Sequence, residues 1–301
     1  MRSGGNRNHT KNITHVKMKK SNIQTTKLAA LATMMLYIQP SNAALVYNDG
    51  DLILGFRATG GTGGTTNVLL NLGSASVFRD ATSQFTLSLG NVDADLDAVF
   101  GGAWNTRLDL RWSVSGGQSF EGNGFTDLTL FASRARAFPF GTVGAANSTA
   151  WLRQSGSTQS NPALKLEALG QKFGSGTTGV SGSDQIESTN AAGFGLIQSH
   201  AQNNSYEEFM PGGSQTGAGS SFSYFNGGIE ANFANGAIGT GLDLYFMAPG
   251  SGAGAYEGTF TISDNATITF TPTGVPEPGS AFMLALGLGA LLTKRRRQQT
   301  A

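Results

Sequence analysis

The chain has 301 residues, no cysteine, 43 glycines and a formal net charge of +1. Without cysteine it can form no disulfide, use no thiol nucleophile or thiolate metal ligand, and carry no lipid on an N-terminal cysteine. The basic residues cluster at both ends, so residues 44–278 hold 9 basic against 19 acidic side chains, a net charge of about −10. Such an acidic surface repels phosphate backbones, and we therefore expect no nucleic-acid partner.

The N-terminal region predicts a secretory signal peptide over residues 18–43. Its apolar run, Leu28–Ile38, follows basic residues and ends before Pro40. Small residues come next, which is typical of a signal-cleavage site. We therefore expect a signal helix that is removed by cleavage between Ala43 and Ala44. Residues 1–17 are polar and basic, and we interpret them as a non-native extension upstream of the natural start.

Residues 44–273 predict one all-β domain. Several segments alternate between apolar and polar side chains, which is typical of half-buried strands, and the many Gly, Ser, Thr and Asn residues indicate frequent turns. We expect an antiparallel β-sandwich of jelly-roll or lectin-like type, ending in a hairpin. The predicted strands are Leu52–Thr59, Val68–Leu72, Phe85–Leu89, Leu108–Val114, Leu128–Ala132, Ile229–Phe233, Leu242–Met247, Tyr256–Ile262 and Ala266–Thr271.

One or two short helices are expected to interrupt the strands. Asn91 can cap a helix over Val92–Phe100, which Gly101 would end. A second helix is predicted over Ala163–Phe173, because Asn161-Pro162 resembles a helix start and Gly174 follows the apolar positions. Residues 174–183 and 211–221 are rich in Gly, Ser and Thr, and we expect loops there.

The C-terminal residues 274–301 predict a membrane tail separate from the β domain. The stiff, extended segment Val275-Pro276-Glu277-Pro278 is followed by an uncharged run that predicts a transmembrane helix over residues 279–293. That run gives about 22 Å of helix, short against a hydrocarbon core of about 30 Å. A basic stop completes the tail and favours a cytoplasmic end with the acidic domain outside. The basic residues are Lys294, Arg295, Arg296 and Arg297.

These three parts, in this order, resemble the PEP-CTERM sorting tail, also catalogued as an ice-binding-protein C-terminal domain. The resemblance covers less than a tenth of the chain. It implies recognition by a membrane-embedded exosortase, processing near Pro276–Pro278, and a transient stay in the inner membrane before transfer to the cell surface or extracellular matrix. It also implies a setting close to exopolysaccharide production, which makes exopolysaccharide a candidate partner. The segment Tyr47–Arg57 is similar to the start of other proteins with this tail.

The candidate chemical motifs between the two ends favour structural roles. Asp93, Asp95 and Asp97 have the spacing of a calcium loop, but Ala98 and Trp104 occupy the positions where that loop needs glycine and glutamate. We expect these carboxylates in the first turn of a helix. His200 is the one histidine after residue 43, and its polar neighbours favour a loop over a catalytic base. We expect no catalytic, cofactor-binding or metal-binding residues.

Three classes of function remain open for the β domain. The leading hypothesis is a non-enzymatic protein of the cell surface or extracellular matrix. The first alternative is a lectin-like carbohydrate-binding module, in which Trp104 and Trp151 could stack on sugars if they are exposed. The second is a secreted polysaccharide hydrolase, which needs only two carboxylates, such as Glu207 and Glu208.

Overall fold

The computed structural model describes residues 46–170, 173–174, 176–187, 229–234, 236–237 and 239–274. Within these residues the chain forms strands β1 Asp51–Ala58, β2 Thr66–Ser74, β3 Phe85–Thr86, β4 Leu110–Gln118, β5 Thr129–Ala135, β6 Thr177–Thr178, β7 Asp184–Glu187, β8 Ala231–Asn232, β9 Gly241–Met247, β10 Ala255–Ile262 and β11 Ile268–Pro272. The helices are α1 Ala75–Arg79, α2 Val92–Phe100 and α3 Gly156–Gly170, with a 3-10 turn at Trp104–Thr106.

All the described strands pair antiparallel in a single sheet. Its order is β3-β11-β10-β9-β5-β4-β1-β2-β7-β6, and β8 pairs with β4 beside this path. The prediction of an antiparallel all-β domain is therefore confirmed. The described strands do not separate into the two hydrogen-bonded sheets of the expected sandwich. Alternation shows which side chains share a face, and it does not show which strands are neighbours.

Both faces of the central strands are buried. On one face, alternate residues of β1 such as Leu54 and Phe56 join a core that extends to β11 and includes side chains of α1 and α2. On the other face, Ile53 belongs to a second core, to which Trp151 and α3 contribute. A sheet covered on both faces can bury its apolar side chains without a second sheet.

The helix predictions are partly confirmed. Helix α2 has the predicted bounds, and the Asn91 side chain accepts a hydrogen bond from the Ala94 amide. Helix α3 begins seven residues before its predicted start, so Pro162 lies inside the helix. The start was wrong because tertiary contacts hold the first turns: the buried Gln159 amide donates to the carbonyls of Leu128 and Met247. Helix α1 was not predicted.

In the part of the chain that the structure describes, no helix is both long and apolar enough to cross a membrane. The predicted signal peptide, the cleavage site at Ala43 and Ala44, and the tail from Val275 onward lie outside the described residues. His200, Glu207 and Glu208 lie outside them as well.

Candidate functional site

The C-terminal tail leaves the domain directly from the last strand of the sheet. Pro272 is still paired with Gly258 of β10, and the Thr273 amide donates to the Glu257 carbonyl at 3.0 Å. Gly274 has a φ of +75°, a backbone conformation that favours glycine. Two peptide units separate Gly274 from Pro276, a reach of at most about 7 Å. The predicted sorting motif therefore begins next to the folded domain.

Glu257 marks the point at which the tail departs. The pairing of β9 with β10 shifts register between Tyr256 and Gly258, so that Glu257 lies at a β-bulge. The pKa of Glu257 is raised to about 7, mainly because the side chain is partly buried. The positive charge of Arg79 lowers this pKa, and the negative charge of Asp80 raises it. Arg79 and Asp80 form an exposed ion pair, in which Nε and Oδ1 are 2.7 Å apart.

The aspartates of the calcium-like spacing lie on α2, with Asp93 and Asp95 in its first turn and Asp97 exposed beyond that turn. Asp95 is buried and accepts hydrogen bonds from the Val180 and Ser181 amides and from the hydroxyls of Ser181 and Ser183. Asp93 accepts a hydrogen bond from the Trp104 indole. These contacts agree with the structural interpretation of the motif. Among the described residues, no group of three or more His, Asp and Glu side chains could hold a metal ion.

The tryptophans that could have stacked on sugars are core residues. Trp104 and Trp151 are each 1 % exposed, and Trp112 is fully buried. The Trp151 indole donates to the Ser133 carbonyl, and the guanidinium of Arg134 lies 4.2 Å from its ring centroid. The structure therefore excludes Trp104 and Trp151 as an exposed sugar-binding platform.

A cleft opens where strands β4 and β5 diverge. The two strands pair from Ser115 to Gln118 of β4, but beyond Ser115 the partner of β4 is β8, with Arg111 opposite Asn232. Ser133 lies at the divergence, where its hydroxyl accepts from the Val114 amide at 2.8 Å and donates to the Ile229 carbonyl at 2.7 Å. The resulting cleft has a volume of about 250 Å³.

Two buried ion pairs flank this cleft. Glu230 accepts hydrogen bonds from both Nε and Nη2 of Arg57, each at 2.7 Å. On the other side, Arg136 pairs with Asp243 at 2.9 Å. Asp243 also accepts hydrogen bonds from the Ser148 amide and hydroxyl. These contacts fix both walls of the cleft.

The rim of the cleft carries two aromatic side chains, the exposed Phe138 and the half-buried Phe140. Phe138 is 73 % exposed, and its ring meets that of Phe140 edge to face with centroids 5.6 Å apart. Arg111 and Asn232 are half-buried at the same cleft. This group was missed in the sequence analysis because only tryptophans were considered for stacking on sugars, and because Arg111 lies within a predicted strand, Leu108–Val114. The pair of phenylalanines around Pro139 was the available signal.

Comparison with known proteins identifies the C-terminal tail. The PEP-CTERM protein-sorting motif matches residues 274–298. No curated protein and no solved structure matches the chain. The motif confirms the resemblance drawn from the residues and implies exosortase-dependent sorting of an exported protein. It begins at Gly274, the residue at which the described β domain ends.

Proposed function

We propose that this chain is a non-enzymatic protein that reaches the cell surface or extracellular matrix after processing of its tail by an exosortase-type membrane enzyme. The match of residues 274–298 to the sorting motif carries the proposal. The signal peptide over residues 18–43, cleavage between Ala43 and Ala44, and the transmembrane helix over residues 279–293 belong to the same proposal.

The position of the motif supports a tail that acts independently of the domain. The last ladder pair of β11 joins Pro272 to Gly258, and the last backbone bond joins Thr273 to Glu257. Cleavage near Pro276–Pro278 would therefore break no described hydrogen bond of the sheet. Processing would separate the folded domain from the membrane segment and leave the domain intact.

The basic stop would keep the unprocessed precursor in the inner membrane until the exosortase-type enzyme cleaves it. A charged side chain at the membrane centre costs about 2.5–3.5 kcal/mol on insertion scales. Four adjacent cations, Lys294–Arg297, would thus resist passage across the bilayer. The short apolar run makes the same segment a poor permanent anchor. The four cations and the short apolar run together suit a transient residence in the inner membrane that ends with cleavage.

The role of the buried charges supports a non-enzymatic domain. Asp95, Asp243 and Arg136 are buried and each binds several groups of neighbouring loops. Such contacts stabilise the fold in a chain that has no cysteine for disulfides. The carbohydrate-binding alternative is favoured by one specific observation, the cleft between β4 and β5.

The test follows the chain through membrane and extracellular fractions by immunoblot. Wild type should appear in the extracellular or surface fraction in a shortened form. Glu277→Ala should accumulate as a full-length precursor in the inner membrane, because it alters the recognised motif. Replacement of Lys294–Arg297 by serine should loosen retention of the precursor. Exposed Glu121→Gln is the control and should behave as wild type. Wild type that stays full-length in the inner membrane would contradict the proposal and indicate a simple anchor.

A further inference from the structure

We propose that the cleft between β4 and β5 binds a carboxylated sugar, with Arg111 contacting the carboxylate and Phe138 packing on the sugar ring. The site deepens the proposed function, because it assigns a ligand class to a domain delivered outside the cell. The two proposals can fail separately, because sorting is measured by immunoblot of cell fractions and ligand binding is measured by titration of the purified chain.

Arg111 is half-buried at the cleft and forms no ion pair within the part of the chain that the structure describes, although its charge acts at longer range on Asp109. The ion pairs within the described residues are Arg57–Glu230, Arg79–Asp80, Arg107–Asp109 and Arg136–Asp243, and none includes Arg111. Arg57 is its cross-strand partner, so both side chains lie on the same face of the sheet. Of the two guanidiniums that line the cleft, that of Arg136 is paired with the buried carboxylate of Asp243, and that of Arg111 can meet a ligand.

The positive charge of Arg111 is opposite in sign to the net charge of the whole domain. Residues 44–278 carry a net charge of about −10. A long polyanion would be repelled by the rest of the surface, whereas a single carboxylate in the cleft meets one half-buried cation. Arginine suits such a group, because its planar fork can donate two parallel hydrogen bonds to a carboxylate.

The other residues that line the cleft fit a sugar ring, which has an apolar face and hydroxyl groups around its edge. Phe138 presents an exposed apolar ring at the rim. Asn232 uses its Oδ1 to accept a hydrogen bond from the Ala234 amide, so its amide nitrogen can donate to a ligand hydroxyl. Ligand sites combine aromatic walls with a few polar groups in this way, and the volume of about 250 Å³ suits a small ligand.

The cleft also lies away, along the strands, from the point at which the chain leaves the sheet. Gly241, at the cleft, pairs with Thr261 of β10, whereas the tail leaves beside Glu257 of the same strand. Four residues of strand separate the two positions, about 13 Å. A sugar bound at the cleft would therefore not compete with processing at the tail.

The test titrates the full chain, purified in detergent, with digalacturonate, with the neutral disaccharide maltose and with inorganic phosphate. Digalacturonate should bind in preference to both, more weakly at high salt. Arg111→Gln should weaken binding about tenfold or more, and Arg111→Lys by less, because lysine keeps the charge without the fork. Phe138→Ala should weaken binding about fivefold.

Matched variants separate the cleft from the rest of the surface. Phe120→Ala removes a similarly exposed ring, 65 % exposed, and Arg79→Gln removes a cation at the tail end of the sheet. Both should bind digalacturonate as wild type does, and near-ultraviolet circular dichroism should show that all variants are folded. Absence of digalacturonate binding by wild type, equal binding of maltose or phosphate, or unchanged affinity in folded Arg111→Gln would each overturn the proposal.

Discussion

The two ends of strands β9 and β10 hold their charges in opposite ways. At the cleft end, Arg136 and Asp243 are buried and surrounded by hydrogen-bonding loops. At the tail end, Arg79 and Asp80 pair in an exposed position, and Glu257 lies at a bulge. Buried charges make the cleft end depend on every partner being present. At the tail end, by contrast, removal of an exposed charged group should change the stability of the sheet little. This end is also where the chain leaves the domain.

The largest expected effect concerns the two ion pairs. Asp243→Ala should lower the free energy of unfolding by about 3–5 kcal/mol, because it leaves Arg136 buried without its carboxylate. Asp80→Ala at the tail end should leave the stability unchanged within error, because the Arg79–Asp80 pair is exposed to solvent. Equilibrium unfolding in urea, followed by tryptophan fluorescence, measures both variants.

Asp243→Asn separates the loss of charge from the loss of hydrogen bonds in this comparison. It keeps an oxygen that can accept from the Ser148 amide and should fall between wild type and Asp243→Ala. Equal midpoints for Asp243→Ala and Asp80→Ala would show that the two ends do not differ, and the comparison would fail.

A smaller effect is expected from pH at the tail end. Burial raises the pKa of Glu257 to about 7 from its ordinary value of 4.5. The folded state therefore binds more protons than the unfolded state between these values. The stability that protonated Glu257 provides is fully present below about pH 4.5 and is lost as the pH rises through about 7. Because Glu257 is only half-buried, we expect roughly 1 kcal/mol.

Glu257→Gln tests the origin of that pH dependence. The variant should be more stable than wild type at pH 7.5 and should lose the decline between pH 5 and pH 7, as measured by melting temperature. Exposed Glu121→Gln serves as its control and should keep the decline. A decline that persists unchanged in Glu257→Gln would assign it to another group.

The tail was predictable because its chemistry is consecutive in the sequence. Pro276-Glu277-Pro278, the apolar run and Lys294–Arg297 follow one another, so that each part can be read without knowledge of the fold. The strands were predictable for a similar reason. Alternation such as that of Leu242, Leu244 and Phe246 is local, and it identified the strand that became β9.

The cleft was not predictable, because distant segments build it. The hydrogen bond from Ser133 to the Ile229 carbonyl joins positions 96 residues apart, and Arg111, Phe138 and Asn232 come from three separate parts of the chain. The single sheet was missed for the same reason, since its order depends on pairings such as that of β4 with β8. Local patterns do not contain these pairings.

The mass of the intact mature protein tests the central claim most directly, because sorting through the tail requires cleavage between the domain and the membrane segment. Protein recovered from the cell surface or medium should begin at Ala44 or one residue later. It should end near Pro276–Pro278, without Lys294–Arg297. Surface or extracellular protein whose mass includes the four C-terminal cations would contradict the account. The tail would then remain on the mature protein and would not be a processed sorting signal.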